Sequence, residues 1–295
     1  MKFDLNNLSR KQMLKLLGVI ALSDGSVHYS GKSIRLSTSI TSKGQHELFR
    51  TLCLKVFKKE PKKYIISRKS FGAEALWSEL FMRKAVEELY TLSPTFKTTP
   101  GKSSIKKYLN SKQPSIAFLL NESKHVKELA IRTWFDFDGS VVPSIKIRLK
   151  KDKKGNKIYR YYQVGFECEI QIAETNPTLA NQILRLFNSL GIKSRIKYDK
   201  RKWSGIDGVS ISAQKSVEKF VKLGPMTDIR VSAKSYRFNG IRKSVICRIV
   251  GQLFSDNTVR LSGSFTNKSK AIKYKRYLKS LLENRIKTTA LSSSG

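Results

Sequence analysis

Residues 17–25 read LGVIALSDG, and residues 131–139 read IRTWFDFDG. In both stretches an apolar run with helical spacing stops at Asp-Gly, and the tetrapeptide Asp-Gly-Ser-Val stands at 24–27 and again at 138–141. Alternating apolar and polar residues, the pattern of a strand, follow each copy. A single helix that ends in Asp-Gly is common, but two in the same context predict that a whole unit is repeated along the chain.

The segments around both copies predict the same order of elements: helix, two strands, helix, two strands, helix. The first helix is predicted to start after Ser9, which has Gln12 three residues later in a capping-box arrangement, and to end at Leu22. We therefore predict an α+β fold of tandem αββαββα repeats, related by a pseudo-twofold axis, with antiparallel sheets. The predicted units are residues 1–93 for the first repeat, 94–114 for a linker, 115–240 for the second repeat and 241–295 for a C-terminal helical extension.

The charge of the chain is its most informative bulk property. It has 58 Lys and Arg against 22 Asp and Glu, which gives a formal net charge of +36. Such an excess opposes compaction through self-repulsion and is typical of proteins that bind polyanions. Nucleic acid is favoured over an anionic membrane, because no basic amphipathic segment stands outside the globular pattern except near the C-terminus.

Several other classes of protein receive no support from the sequence. No run of about eighteen apolar residues could span a bilayer, and the N-terminal MKFDLNNLSRKQ lacks the apolar core of a signal peptide. Cys53, Cys168 and Cys247 form no CxxC pair and are expected to be buried free thiols, and the three histidines have no metal-ligand spacing. We expect a monomer located in the cytoplasm and nucleoid or in an organelle matrix, not a secreted protein.

One face of the predicted sheets has no evident cover and carries polar and basic residues. These residues are Arg35, Ser37 and Ser39 in the first repeat and Lys146, Arg148, Lys150, Gln163, Glu167, Glu169, Gln171, Lys193, Arg195 and Lys197 in the second. A strand in the major groove presents alternate side chains to base edges, where Glu accepts from cytosine and Gln suits adenine. The pattern predicts a surface that binds double-stranded DNA and recognises its sequence, although one such strand alone is equally typical of a solvated face.

Residues 17–25 and 131–139 resemble two copies of the LAGLIDADG motif, which defines the homing endonucleases of introns and inteins. The resemblance extends over roughly residues 9 to 240, because the expected order of elements follows each motif. It implies a single-chain, two-motif endonuclease whose motif helices pack side by side between the repeats. The implied activity is metal-dependent hydrolysis of both strands of a long DNA site, as an intron-encoded element needs to copy itself into one locus.

The resemblance also implies which residues form the active site. Asp24 and Asp138, at the ends of the motif helices, would be catalytic and hold Mg²⁺ or Mn²⁺ over the scissile phosphates. The backbone carbonyls of Ser23 and Phe137 are lesser candidates for metal ligands. Mg²⁺ held by carboxylates suits this chemistry, because it can activate a water molecule and stabilise the leaving oxygen.

Basic catalytic residues are implied by position only. The nearest matches are Lys97 in the first half and Lys234 in the second. Asp136 receives no catalytic role, because Leu22 stands at the equivalent place in the first copy.

Some alternatives remain open at the level of sequence. Each Asp-Gly, taken alone, is more typical of a helix-ending turn with glycine in a left-handed conformation. The large Phe137 stands opposite the small Ser23, which indicates either an asymmetric helix interface or a diverged, inactive or maturase-like member. The alternative functions are therefore an intron-RNA-binding maturase and a nuclease-dead DNA-binding protein of the same fold.

Two further expectations concern size and the C-terminus. Strands of about eight residues span ~26 Å, so two sheets end to end would cover roughly 15 to 20 base pairs. The basic helical pattern near the C-terminus would form either an added DNA clamp or a packed helix with a solvated face.

Overall fold

The chain is described by a computed structural model for residues 5–68, 73–154, 157–231 and 237–292. The first repeat has its elements in the predicted order. They are α1 (Arg10–Leu22), β1 (Gly25–His28), β2 (Ser33–Ser39), α2 (Lys43–Phe57), β3 (Lys62–Arg68), β4 (Ala73–Phe81) and α3 (Arg83–Tyr90). The predicted start of α1 is confirmed, because Ser9 and Gln12 form the capping box.

The second repeat follows two short helices, α4 (Ile105–Leu109) and α5 (Ala117–Leu120). Its elements are α6 (Lys124–Asp138), β5 (Gly139–Lys154), β6 (Lys157–Ala173), α7 (Pro177–Ser189), β7 (Arg195–Tyr198), β8 (Ile206–Ile211) and α8 (Gln214–Leu223). The chain continues with α9 (Lys243–Ser255), β9 (Ser262–Phe265) and α10 (Lys268–Ser292).

The two sheets have the same topology. Their strand orders are β1-β2-β4-β3 and β5-β6-β8-β7, and all of these neighbours are antiparallel. The predicted α+β class, the antiparallel sheets and the internal repeat are thereby confirmed. The motif helices α1 and α6 pack against each other, and α1 is buried from Met13 to Leu22, as expected for a helix at the centre of the molecule.

The hairpin of β5 and β6 is much longer than the sequence predicts. These strands contain 16 and 17 residues, where strands of about eight were expected. The Lys-rich stretch that resembles a turn in composition continues the pairing, with Lys151 opposite Arg160 and Lys153 opposite Ile158. We call residues 149–154 and 157–161 the hairpin arm, because β8 pairs only with residues 170–173 of β6 and β9 with residues 162–165.

The C-terminal extension is part of the second half of the molecule. Strand β9 pairs with β6, and α9 and α10 pack against the same hairpin. Phe254 of α9 lies 5.3 Å from Phe166, and Tyr274 of α10 lies 5.2 Å from Phe265, as distances between ring centroids. Because Phe166 belongs to the apolar face of β6, α9 covers the side of the sheet opposite the predicted DNA-binding face.

Residues 94–114, which have the composition of a linker, pack on the second repeat. Tyr108 of α4 is 2% exposed, donates its hydroxyl to the carbonyl of Lys97 at 2.7 Å and accepts the Asn176 amide at 2.8 Å. The three cysteines are buried and free, as predicted. Within the described ranges, no helix has the length and apolar character needed to cross a membrane.

Candidate active site and nucleic-acid interface

The helix α1 ends two residues before Asp24 and α6 ends at Asp138 itself, but a glycine follows each aspartate at the turn into the sheet. Gly25 and Gly139 directly follow the motif aspartates, and neither has the left-handed conformation that a simple helix-ending turn would need. A Cβ atom added to Gly139 would lie 2.3 Å from the carbonyl oxygen of Phe135, and one at Gly25 would lie 2.5 Å from that of Ile20. The chain thus turns into the first strand so closely that no side chain fits, which fixes each aspartate at the junction of helix and sheet.

Asp24 and Asp138 lie close enough for their charges to interact. Burial, followed by repulsion from Asp24, raises the pKa of Asp138 well above its usual value of 3.8. Burial also raises the pKa of Asp24 to about 6, against the attraction of Lys243. The Asp24 side chain is nevertheless exposed and that of Asp138 half-buried, so protein atoms surround both carboxyls while solvent still reaches them. A pair of acidic groups that solvent reaches in this way is accessible to a ligand.

Two further carboxyl groups, not predicted as site residues, stand near this pair. Glu174 follows β6 and is buried; burial raises its pKa to about 8, and its charge contributes to the raised pKa of Asp138. Its Oε1 accepts the N–H of Asn176 at 2.7 Å. Asp136 is fully buried, burial raises its pKa, and its Oδ1 accepts the N–H of Met226 at 3.1 Å. This hydrogen bond joins α6 to the segment after α8, which indicates a structural role for Asp136 beside the candidate site.

A buried lysine from the C-terminal extension enters the same region, and the sequence did not single it out. Lys243, the first residue of α9, is 7% exposed. Its Nζ donates to the carbonyl oxygens of Phe135 at 2.8 Å and Asp136 at 3.1 Å, in the last turn of α6. Burial lowers the pKa of Lys243, whereas the attraction of Asp136 and of both motif aspartates opposes that shift.

The polar face of the second sheet carries most of the predicted DNA-binding residues. The register places Lys146, Arg148, Lys150, Gln163, Glu167, Glu169, Gln171, Arg195 and Lys197 on one face. Lys193 differs from the prediction that it lies in a strand, because it precedes β7 and its N–H donates to Ser216 Oγ at 2.9 Å. Ser216 belongs to α8, so the backbone of Lys193 is bonded to that helix and not to a neighbouring strand.

Ion pairs organise this face. Glu167 pairs with Lys146 at 3.1 Å and with Arg148, and Lys197 Nζ donates to Gln171 Oε1 at 2.7 Å. The acidic side chains among the cations therefore have partners in the protein itself. That these acidic and amide groups contact bases stays a prediction, but the pairing orients the basic groups in advance of any ligand.

The first sheet presents a less basic face. The guanidinium of Arg35 lies 4.1 Å from the ring centroid of Trp77 and donates to Glu79 at 3.0 Å. Ser37 lies on the same face as Arg35, opposite Trp77 in the register, and Ser39 Oγ is 3.0 Å from Thr41 Oγ1. Because Glu79 balances the charge of Arg35, we expect this half to attract phosphates less strongly than the second half.

The remaining candidates stay predictions. Lys97 is exposed, and its Nζ lies 5.7 Å from the ring centroid of Tyr108 and 3.4 Å from Ser103 Oγ, so its contacts are within the linker segment. Lys234 lies outside the described residues. Ser23 turns its hydroxyl back to the carbonyl of Val19 at 3.1 Å, and Phe137 is buried in the last turn of α6.

The motif aspartates fit a divalent cation by their chemistry. Two carboxyls whose pKa values are raised by burial, and for Asp138 also by repulsion from Asp24, would be relieved of that unfavourable charge by a cation between them. Among the described residues, no three His, Cys, Asp or Glu side chains form a ready metal-binding group. Mg²⁺ commonly binds through only one or two carboxylates and takes its other ligands from water and substrate phosphates, so two aspartates suit it.

Comparison with protein-family models gives one match, and it lies in the second repeat. A family model described as a LAGLIDADG-like domain matches residues 126–223, which extend from α6 to the end of α8. No curated protein sequence matches the chain significantly.

Similar solved structures include three with low identity. The homing endonuclease I-WcaI bound to its DNA recognition sequence is 16% identical, with a TM-score of 0.41, over 74% of this chain and 82% of that chain. I-DmoI in complex with DNA and Ca is 12% identical, with a TM-score of 0.43, over 73% of this chain and 90% of that chain. The N-terminal LAGLIDADG domain of DUF199/WhiA is 15% identical, with a TM-score of 0.39, over 75% of this chain and 84% of that chain.

The repeated helix ends and the equivalent sheets define a protein of two repeats, each with an aspartate where its motif helix meets its sheet. The second of these repeats is the segment that matches the family model. The second repeat, over residues 126–223, is thus similar to a LAGLIDADG-like domain.

Proposed function

We propose that the chain is a site-specific endonuclease that cuts both strands of a long double-stranded DNA site with the help of divalent cations. The observation that carries this proposal is the convergence of Asp24 and Asp138, one carboxyl from each repeat, at the ends of two packed helices. The family match over the second repeat supports the same class of function. Intron-encoded origin and a monomeric state belong to this proposal as well.

DNA would bind to the polar faces of the two sheets. The second sheet offers cations at alternate positions along β5, and ion pairs hold several of them in place. Lys and Arg side chains neutralise phosphates and release counterions, so binding is expected to weaken steeply with salt. A pseudo-twofold arrangement of the repeats would put the aspartate pair between the two sheets, where both strands of one duplex could be reached; the equal strand orders and the packing of α1 on α6 support it.

Asp24 and Asp138 would hold Mg²⁺ or Mn²⁺ at this position. When bound, the cation would act as a Lewis acid on the phosphate and lower the pKa of a bound water. The chain's own contribution is to fix the carboxyls at the helix ends, to exclude side chains there through Gly25 and Gly139, and to align the duplex on the sheets. Both aspartates must release their protons to take up the cation, which burial makes harder in this protein.

Cleavage of a duplex DNA library in the presence of Mg²⁺ tests the proposal. We expect the wild type to cut selected sequences on both strands. Asp24→Asn and Asp138→Asn should each lower double-strand cutting at least about a hundredfold, because each removes a charged group at the reacting phosphates. Binding of the same DNA should persist, since the sheet faces are unchanged.

Glu218→Gln on α8 is the control, because it makes the same carboxylate-to-amide change away from the aspartate pair. It should cut like the wild type. If the wild type cuts no sequence and binds structured RNA tightly instead, the maturase function replaces this proposal. Tight duplex binding without any cutting would identify a nuclease-dead DNA-binding protein.

A further inference from the structure

Lys243 is a cation that the chain buries beside its own acidic groups. The side chain is 7% exposed, and its Nζ donates to the Phe135 and Asp136 carbonyl oxygens at 2.8 and 3.1 Å. An ammonium buried in this way is costly unless charges and acceptors compensate it. The cluster of carboxyls around it provides that compensation, so its position is coupled to the aspartate pair.

Elements from three parts of the chain fix this position. The backbone N–H of Lys243 donates to Ile229 at 2.9 Å where α9 begins, while the side chain reaches the last turn of α6. Carbonyls in the last turn of a helix carry partial negative charge, so an ammonium is favourable there, and the Phe135 carbonyl accepts the N–H of Gly139 as well. Gln45 of α2, in the first repeat, donates its Nε2 to the same Asp136 carbonyl at 3.0 Å. The last turn of α6, the helix that carries Asp138, is therefore hydrogen-bonded to a lysine of the C-terminal extension.

Acidic groups outnumber this ammonium. Asp24, Asp136 and Asp138 attract it, and Glu174, which follows β6, contributes to the raised pKa of Asp138. One ammonium thus stands among several acidic groups, at the place where an external cation would also be drawn. The positive charge of Lys243 repels a divalent cation at this place. The same charge stabilises the acidic side chains when no divalent cation is bound.

We propose that Lys243 is a positioning residue and an internal counter-ion of the aspartate pair, through which the C-terminal extension sets how tightly the pair binds divalent cations. This inference rests on the proposed function only in taking Asp24 and Asp138 as the cation-binding groups. By this inference the segment 241–255, which contains Lys243, contributes to the candidate active site. The two sequence motifs lie outside this segment, in the repeats.

Calcium titration of the DNA-free protein tests this role. We expect Lys243→Met to bind Ca²⁺ about tenfold more tightly than the wild type, because the repulsive charge is gone. Its melting temperature should also rise more on addition of Ca²⁺ than that of the wild type. Lys243→Arg keeps the charge and should restore the wild-type affinity, which loss of packing alone would not explain. Lys222→Met, an exposed lysine in the last turn of α8, is the control and should leave Ca²⁺ affinity unchanged.

A second pair of variants covers the case in which Lys243→Met does not fold. Asp136→Asn with Lys243→Met removes one charge of each sign from the core, and it is compared with Asp136→Asn alone. The double variant should bind Ca²⁺ about tenfold more tightly than the single variant. Unchanged or weaker Ca²⁺ binding after loss of Lys243, in either background, overturns the inference.

The two proposals fail in different ways. If the wild type cuts DNA and Asp24→Asn abolishes Ca²⁺ binding, but Lys243→Met leaves the affinity unchanged, the endonuclease proposal stands and the counter-ion role falls. If no DNA is cut but Lys243→Met gains Ca²⁺ affinity, the counter-ion role stands without the nuclease.

Discussion

Gly25 and Gly139 occupy positions where a single methyl group has no room. The Cβ of an alanine at Gly139 would lie 2.2 Å from a ring carbon of Phe135, and at Gly25 it would lie 2.7 Å from the Cα of Ala21. We expect Gly25→Ala and Gly139→Ala each to lower the free energy of unfolding by about 2 kcal/mol or more, because backbone atoms must move to relieve the clash. Chemical denaturation measures this change.

Gly165 provides the comparison for these two glycines. It lies in β6, and a Cβ there would meet nothing within 4 Å. Gly165→Ala should leave the free energy of unfolding within about 0.5 kcal/mol of the wild type. Equal losses at all three positions would mean that the close approach at the helix ends is not what requires glycine.

At this scale the sequence could predict the aspartates but not the groups that surround them. The motif aspartates follow apolar helices and recur, so their pattern is visible. Lys243 is one of 58 basic residues, and its burial depends on contacts with residues more than a hundred positions away. One signal was available, since Lys243 stands at helical spacing from Ile246 and Val250 and so shares the buried face of α9.

Among the elements, the hairpin arm allows the sharpest test of DNA binding. Lys150 and Lys151 are adjacent, exposed and on opposite faces of β5, and Lys150 shares the face of Arg148. We expect Lys150→Ala to weaken duplex binding and to reduce the slope of log K against log salt by about 1, because one phosphate contact is lost. Lys151→Ala should have a clearly smaller effect on both. Binding measured over a series of salt concentrations gives both quantities, and equal losses from the two variants would contradict a DNA-binding face on this side of the sheet.

The succession of strands along the chain could be predicted from the alternation of residues, whereas strand length could not. Lys146, Arg148 and Lys150 lie in β5, and the predicted residues from Gln163 to Gln171 lie in β6, as their alternation indicates. The arm beyond them is rich in lysine, and composition alone makes such a stretch resemble a turn. Its pairing depends on register with the partner strand, which begins at the hairpin and cannot be seen from either strand alone.

For the molecule as a whole, the unequal sheets imply an unequal footprint on DNA. The longest strand of the first sheet has 9 residues and that of the second has 17. At ~3.3 Å per residue and ~3.4 Å per base pair, these lengths correspond to roughly 9 and 16 base pairs. We expect hydroxyl-radical protection to extend clearly further on the side bound by the second repeat. Protection of equal length on both sides of the cleavage position would show that the arm does not lie along the duplex.

The length of β5 also affects the protein when no DNA is present. Among the described strands, β5 stands at the end of its sheet, so 16 residues of backbone form an edge that could pair with another chain. Pro143 has no N–H and so removes one hydrogen-bond donor from that edge. The lysines of the hairpin arm would repel the same lysines of a second copy of the chain. The same positive charge that attracts phosphates thus protects the free protein against sheet-to-sheet aggregation. Neutralising the arm to reduce non-specific binding would remove that protection.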